Sequence, residues 1–344
     1  MFESFVDLVR EIYPDKKNIP LHEPYFAKKE RQYIEEAIES TYVSTVGQYV
    51  GIFEEKVSQY VGTKHAIATV NGTAALHVSL LSIGANDTHE ILTQSLNFVA
   101  GCNAIRYCGS HPVFIDIEGN TLGLDPIELE KFLNENAELK DGQALNKNSK
   151  RHIKACILMH TFGTPSKIEE ISDICKKWNI VVIEDAAEAL GSFEDDKHVG
   201  KLGDIAILSF NGNKIITSGG GGMVLTDDDE LAKKIRHITT TAKVEHQWEF
   251  FHDVVGYNYR MPNINAALGL GQFEDLEEKL SSKESIFLRY KEWSKENGNI
   301  LFVHRESSRP NYWLNALILE NEIQKNEFLN YTNEKGIQTR PVWT

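Results

Sequence analysis

Two stretches decide how this chain is read: Ile180-Val181-Val182-Ile183-Glu184-Asp185, and then Ile205-Ala206-Ile207-Leu208-Ser209-Phe210-Asn211-Gly212-Asn213-Lys214. Each opens with a short β-branched apolar run of strand length and then turns polar. The spacing from Asp185 to Lys214 leaves room for one crossover and the next strand, so both side chains can reach one crevice from neighbouring strand ends. A carboxylate and an amine placed in this way meet the needs of pyridoxal 5'-phosphate. That cofactor takes a lysine amine into a Schiff base and needs an acid to keep its ring nitrogen protonated. Most lysines are solvated and carry no such meaning; Lys214 is distinguished by its surroundings. After Asp185, the small residues of Ala186-Ala187-Glu188-Ala189 leave space for a flat ring.

Outward from these strands, apolar runs bounded by turn residues alternate with amphipathic stretches between residues 50 and 240. This alternation predicts an α/β fold with an open, mainly parallel sheet. Expected strands are Ala66–Val70, Glu90–Thr93, Pro112–Ile115, Lys154–Met159, Ile180–Ile183, Ile205–Ser209 and Gly222–Thr226. Expected helices are Thr73–Ile83, Phe98–Tyr107, Pro126–Phe132 and Ile168–Trp178. Gly222–Thr226 follows its predecessor too closely for a helical crossover and is expected to pair antiparallel or to return through a short connection. Asn134–Arg151 reads as a polar, irregular and mobile surface insertion. Pro262 opens a long helical pattern, and beyond it come a strand at Tyr312–Leu319 and a helix at Glu322–Lys335. The expected division is a large cofactor-binding domain with an N-terminal helical segment over 1–260, and a linking helix with a small α+β domain over 261–344. The stop at Arg340-Pro341-Val342-Trp343-Thr344 falls at the start of a further strand, so this second domain reads as incomplete.

With 344 residues, 41% hydrophobic and 25% charged, the composition is that of a globular chain with a large core. The acidic start Met1-Phe2-Glu3-Ser4-Phe5-Val6-Asp7 lacks a basic region followed by an apolar core, and no apolar run nears the roughly 20 residues of a membrane span. Cys102, Cys108, Cys156 and Cys175 show neither paired nor metal-type spacing, so no metal is expected and reduced thiols are. The expected location is the cytoplasm, with no membrane partner. A net charge of −14 opposes nucleic acid as a partner but permits a small anion held by local cations and helix N-termini.

Between a strand and a helix, Asn71-Gly72-Thr73-Ala74 offers close backbone approach at Gly72 and a hydroxyl at Thr73. The helix N-terminus there favours an anion, which makes a phosphate cup; a plain Thr cap is the competing reading. Ser209 is a second phosphate candidate. Phe98, at a helix start after a strand, can stack on a planar ring, although such an aromatic is more often core. His160 follows a strand end and so points toward the ligand crevice, or else is a satisfied structural histidine. The run Gly219–Gly222 lacks the spacing of a nucleotide-binding loop.

Taken in order, IPLHEPYF, NGTAALH, QSLNFVAGCNAI, IEDAAEALGS, LSFNGNKIITSGGGGMV and GYNYRMPNINAALGLGQ resemble the DegT-type sugar aminotransferases, fold-type I pyridoxal phosphate enzymes acting on nucleotide-linked keto sugars. The resemblance runs from Ile19 to the end of the chain. It implies that Lys214 attaches the cofactor and Asp185 pairs with its ring nitrogen. Gly72, Thr73 and Ser209 would hold the phosphate, Phe98 would stack on the ring, and Asn258 of Gly256-Tyr257-Asn258-Tyr259-Arg260 would reach the phosphate of a neighbouring subunit. A homodimer with shared active sites follows. Glu188 stands near the cofactor where many members have Gln or His, and a carboxylate there repels a phenolate unless it is protonated or turned away. His160, Asn213 and Arg340 are the expected substrate contacts. Arg340 lies in a segment that folds back toward the sugar in this family, and its guanidinium suits a phosphate. The form NGNK resembles the branch that makes UDP-linked 4-amino-4,6-dideoxy sugars, which implies a UDP-linked 4-keto-6-deoxy acceptor and L-glutamate as donor. Relatives that dehydrate sugars replace the lysine by histidine, and Lys214 argues against that chemistry. An acceptor linked to GDP or dTDP, a 3-keto acceptor, and a non-catalytic regulator with the same fold are the alternatives.

Overall fold

The computed structural model describes residues 1–305 and 307–343. Its strands are β1 (His65–Thr69), β2 (His89–Gln94), β3 (His111–Ile115), β4 (Ala137–Lys140), β5 (Gln143–Asn146), β6 (His152–Met159), β7 (Val181–Asp185), β8 (Phe193–Glu194), β9 (Lys197–His198), β10 (Ile205–Ser209), β11 (Gly222–Thr226) and β12 (Ser308–Arg309). The main sheet runs β1-β11-β10-β7-β6-β2-β3, and the hairpin β4–β5 joins it through β6. From β10 to β3 the pairs are parallel, whereas β11 lies antiparallel between β1 and β10, as expected of Gly222–Thr226. A small second sheet has the order β12-β8-β9.

Both faces of the parallel strands are covered, which is why their sequences read as continuous apolar runs. Because side chains alternate along a strand, Ile67, Ile157, Ile183, Ile207 and Val224 pack with the helices Gly72–Ser82 and Asp229–Thr239. Ala68, Leu208 and Leu225 face the other way, toward Phe53 of Gln48–Val61 and Leu270 of Asn263–Glu274. On that side Leu158 and Val182 meet Leu133 of Pro126–Asn136 and Ile171 of Ile168–Lys177. Each such buried side chain contributes roughly 1.5–3 kcal/mol relative to exposure.

The N-terminal helix Phe2–Ile12 packs on the C-terminal helices Leu276–Glu296 and Glu322–Glu334. Phe5 holds that contact, with its ring 5.3 Å from Trp293 and 5.0 Å from Phe328. Among the described residues, no helix is long and apolar enough to cross a membrane, and no cluster of metal-ligating side chains occurs.

Three expectations need correction. Asn134–Arg151 is not an irregular insertion but carries β4 and β5, with Lys140 opposite Gln143 across an Asp141-Gly142 turn in which both residues have positive φ. Asp-Gly is a strong hairpin signal that the polar composition concealed. The pattern after Pro262 is two helices, Asn263–Glu274 and Leu276–Glu296, broken at Asp275. Tyr312–Leu319 forms, among the described residues, only an isolated antiparallel bridge, Leu317 to Leu301, flanked by the Phe302 N–H on Ala316 O and the Ile318 N–H on Ile300 O, and it starts at Tyr312 with φ 53.

Candidate active site

At the carboxyl edge of the sheet, β7 ends on Glu184 and Asp185, which the strand's period of two sends to opposite sides. Glu184 is fully buried and accepts N–H groups from Gly200 at 2.7 Å, Leu202 at 2.8 Å and Gly203 at 2.6 Å. Its fourth partner is His160 Nε2 at 3.0 Å. Burial pushes the Glu184 carboxyl up, but these bonds outweigh it and hold the group below its ordinary value. His160 Nδ1 accepts the Ser166 N–H at 3.0 Å, so Nε2 carries the proton given to Glu184. His160 therefore does not face substrate: its ring is completely buried and both nitrogens are engaged. It is a structural histidine that ties the end of β6 to β7.

Asp185 is buried and accepts the Ala187 N–H at 3.1 Å. Burial raises its pKa, and the Ala187 N–H and the nearby charge of Lys214 counter this only in part. No cation lies within 4.0 Å of it among the described residues. A buried carboxylate in this state calls for a cationic hydrogen-bond donor.

Beyond β10 the chain doubles back, with Phe210 N–H bound to Gly221 O and Ser218 N–H to Phe210 O, and this returns Lys214 to the strand end. Its side chain is 14% exposed, with Nζ 3.4 Å from Glu188 Oε1 and 4.1 Å from the centre of the Trp313 ring. Trp313 is held in place by its indole N–H on Asn213 O at 2.6 Å and by Asn311 Oδ1 on its main-chain N–H at 3.0 Å. The sequence reading missed Trp313, which sits in the apolar run Tyr312–Leu319 and looks like any core tryptophan. Glu188 Oε2 accepts the N–H of Phe162, a non-glycine residue with φ 55, at 2.9 Å. Such strained backbone gathers at functional sites.

Burial pushes the Glu188 pKa up from 4.5 to about 7, against the opposing charge of Lys214. A raised carboxyl pKa gives stability that is complete below the unfolded value of 4.5 and is lost as pH rises to about 7. A shift of this size corresponds to about 3 kcal/mol. Glu188→Gln keeps an acceptor for Phe162 and removes the titration. Denaturation of the cofactor-free proteins at pH 5 and pH 8 should therefore show wild type losing about 3 kcal/mol relative to the variant. Parallel pH curves would refute a Glu188 carboxyl that titrates near neutrality.

The phosphate candidates come together. Asn71, not Thr73, caps the helix Gly72–Ser82 by accepting the Ala74 N–H at 2.8 Å, which leaves Gly72 and Thr73 as the first-turn donors. A Cβ on Gly72 would lie 3.1 Å from Ser209 Cβ, so the helix start and the end of β10 form one cradle. Gly222 makes this approach possible, since a Cβ there would meet the Asn71 carbonyl at 2.4 Å. Phe98 is 47% exposed, so it is not a core aromatic, and its ring lies edge-on to Trp343 at 5.8 Å. Asn258 is exposed and makes no side-chain hydrogen bond among the described residues; its neighbour Tyr259 accepts the Val70 N–H at 2.9 Å. Asn213, Trp313, Arg340 and Trp343 line a cavity of about 790 Å³ beside Lys214, with Arg340 exposed in its wall.

These residues fit pyridoxal phosphate. The group's three demands are an amine, an acid without a cation of its own, and an N–H and hydroxyl cradle for a phosphate. Lys214, Asp185 and the Gly72–Ser209 cradle meet them in turn. The description of the DegT/DnrJ/EryC1/StrS aminotransferase family matches residues 24–344. GDP-perosamine synthase of Escherichia coli O157:H7 is 36% identical over 95% of this chain and 85% of its own. UDP-4-amino-4,6-dideoxy-N-acetyl-beta-L-altrosamine transaminase of Campylobacter jejuni is 32% identical over 86% of this chain and 76% of its own. The solved structure of Helicobacter pylori PseC, an aminotransferase involved in the biosynthesis of pseudoaminic acid, superposes with a TM-score of 0.83 at 25% identity, covering 95% of this chain and 85% of that one. With the family match over residues 24–344 and relatives this similar along most of their length, the chain belongs to the DegT/DnrJ/EryC1/StrS family of pyridoxal phosphate-dependent sugar aminotransferases.

Proposed function

We propose that this enzyme moves an amino group from L-glutamate to C4 of a nucleotide-linked 4-keto-6-deoxy sugar. The observation that supports this reading is the buried Asp185 within reach of the Lys214 charge, at the sheet edge where β10 ends on the Gly72–Ser209 cradle. When bound, pyridoxal phosphate supplies the electron sink that lets a C–H bond beside nitrogen break as a proton. Lys214 would be the residue that holds it, and its Nζ, when free, would be the base placed to hold and pass on that proton. Glu188 keeps that amine aimed, and a proton passed between its carboxyl, raised to about pKa 7, and Nζ interconverts a neutral pair and an ion pair. Asp185 would supply negative charge for the ring nitrogen, Gly72, Thr73 and Ser209 would hold the phosphate, and the exposed Phe98 would be free to stack on the ring.

NGNK at 211–214 supports a UDP-linked acceptor, and the 36% identity to a GDP-perosamine synthase supports a GDP-linked one. A panel of UDP-, GDP- and dTDP-linked 4-keto sugars, assayed for 2-oxoglutarate release from glutamate, decides between them. Turnover on none of the panel would sink the reading. With the accepted sugar, Arg340→Ala should raise KM about tenfold, as expected for loss of one charge-assisted contact, and leave the glutamate half-reaction nearly intact. Loss of both half-reactions would mark Arg340 as structural or as the donor's partner.

The active form in this reading is a homodimer in which Asn258 reaches the other subunit's phosphate. The exposed apolar residues just before it, Trp248, Phe250, Phe251, Val254 and Val255, support burial of this segment against a second copy. Mixed Lys214→Ala and Asn258→Asp subunits should regain part of the activity that each lacks, because one site in the hybrid keeps both native residues. No recovery from any mixture means self-sufficient subunits and removes Asn258 from the site.

A further inference from the structure

Lys283 lies on the helix Leu276–Glu296 and projects into the cavity beside Lys214. Its ammonium donates to His22 Nδ1 at 3.1 Å and to the main-chain oxygen of Trp313 at 3.1 Å, both neutral acceptors. Among the described residues, no carboxylate lies within 4.0 Å of it, whereas many surface lysines here have such a partner. His22 offers no compensation. Its Nδ1 accepts the lysine proton, and burial together with the Lys283 charge pushes its pKa down to about 3, so it stays neutral. Burial also pulls Lys283 down to about 8, as befits an ammonium lacking a counter-charge.

The cavity wall as a whole has the same bias. It carries Lys283, Lys325 and Arg340 and, among the described residues, no aspartate or glutamate, in a chain with a net charge of −14. Trp313 sets the distance to the chemistry, with its ring 4.1 Å from Lys214 Nζ and its carbonyl on Lys283. A molecule reacting at Lys214 thus meets Lys283 about one tryptophan away.

We propose that Lys283, seated on His22 and Trp313, is the cation of an acid-group subsite in this cavity. It takes an anionic oxygen group carried at a distance from the reacting nitrogen or carbonyl. Resting on the aminotransferase reading, two sources share that chemistry. One is the far carboxylate of a dicarboxylic amino donor, separated from its amine by a short carbon chain. The other is the phosphate of a nucleotide sugar, separated from C4 by the pyranose ring. Both must visit Lys214, and their spans are similar.

Glutarate, UDP and GDP serve as probes, titrated calorimetrically into wild type, Lys283→Met and Lys283→Arg. Lys283→Met should weaken at least one probe by about tenfold or more, the usual scale of a lost charge-assisted contact, and Lys283→Arg should recover most of it. An effect confined to glutarate assigns the donor carboxylate, and one confined to UDP and GDP assigns the acceptor phosphate. The ligand-free Lys283→Met protein should melt no lower than wild type, because a buried unpaired charge is removed. Unchanged affinity for all three probes with a lowered Tm would make Lys283 a strut for Trp313 and overturn the proposal. Should the variant not fold, acetylation of wild type at pH 8 gives the answer: protection of Lys283 by a saturating probe supports the subsite, and protection by none overturns it. If the probes bind through Lys283 but no sugar is aminated, the function reading fails while the subsite stands. If amination proceeds while probe affinity ignores Lys283, only the subsite fails.

Discussion

Lys214→Ala is expected to fold, to hold pyridoxal phosphate weakly and to show no measurable turnover. The fold should survive because the lysine makes few contacts: among the described residues, Nζ touches Glu188 at 3.4 Å and the Trp313 ring. Once that cation is gone, Glu188 has less reason to ionise and stays protonated at neutral pH, so no buried charge is stranded. Activity fails for two reasons at once. The nucleophile is gone, and so is the base that moves the proton; general acid–base catalysis alone is worth about 10²–10⁴-fold, so a loss beyond 10⁴-fold is expected. In wild type, borohydride should erase the visible absorption of the bound cofactor and leave its mass on the peptide containing Lys214. A label on any other lysine would overturn the assignment.

Asp185→Asn should come next in severity. The amide oxygen can still accept the Ala187 N–H that Asp185 accepts at 3.1 Å, so the local turn persists and the buried charge disappears. The variant should therefore fold and take up cofactor. An amide cannot hold a ring nitrogen in its protonated form through an ion pair, and a charge-assisted bond of this kind is worth about 1.5–3 kcal/mol before any extra demand in the transition state. A fall in kcat of at least about a hundredfold is expected, with both half-reactions affected because both need the same electron sink. Near wild-type kcat with Asn at this position would remove Asp185 from the mechanism.

Where chemistry and local pattern agreed, the sequence was legible. The β7 and β10 runs, the antiparallel Gly222–Thr226 and the nearness of the Lys214 charge to Asp185 at neighbouring strand ends all follow from apolar runs and spacing. The meeting of Gly72 with Ser209 could be suspected, but it depends on Gly222 yielding to Asn71, and that close approach is a property of the packed sheet. His160 was misjudged because a strand-end position does not say where a ring points. The decisive fact was that Glu184, one residue before Asp185, faces the opposite way and claims it. Trp313, Lys283 and His22 come from distant segments joined only by tertiary packing, so no spacing rule could have grouped them. Phe98 went the other way: an aromatic that statistics place in the core is half exposed.

The place of β1 in the sheet has a consequence for how the molecule comes into being. Its ladder partner is β11, with His65 opposite Thr226, so the first strand of this sheet to be synthesised waits for the last. The entropic cost of closing so long a loop grows only with its logarithm, so the delay burdens the rate of folding far more than its equilibrium. Until that closure, β1 is an unpaired apolar edge, open to chaperones and to other nascent chains. The helix that begins at Gly72 hangs directly from β1, whereas Ser209 arrives with β10. A half-synthesised chain thus has no cradle, and capture of the cofactor reports that the last parallel and antiparallel pairings have been made.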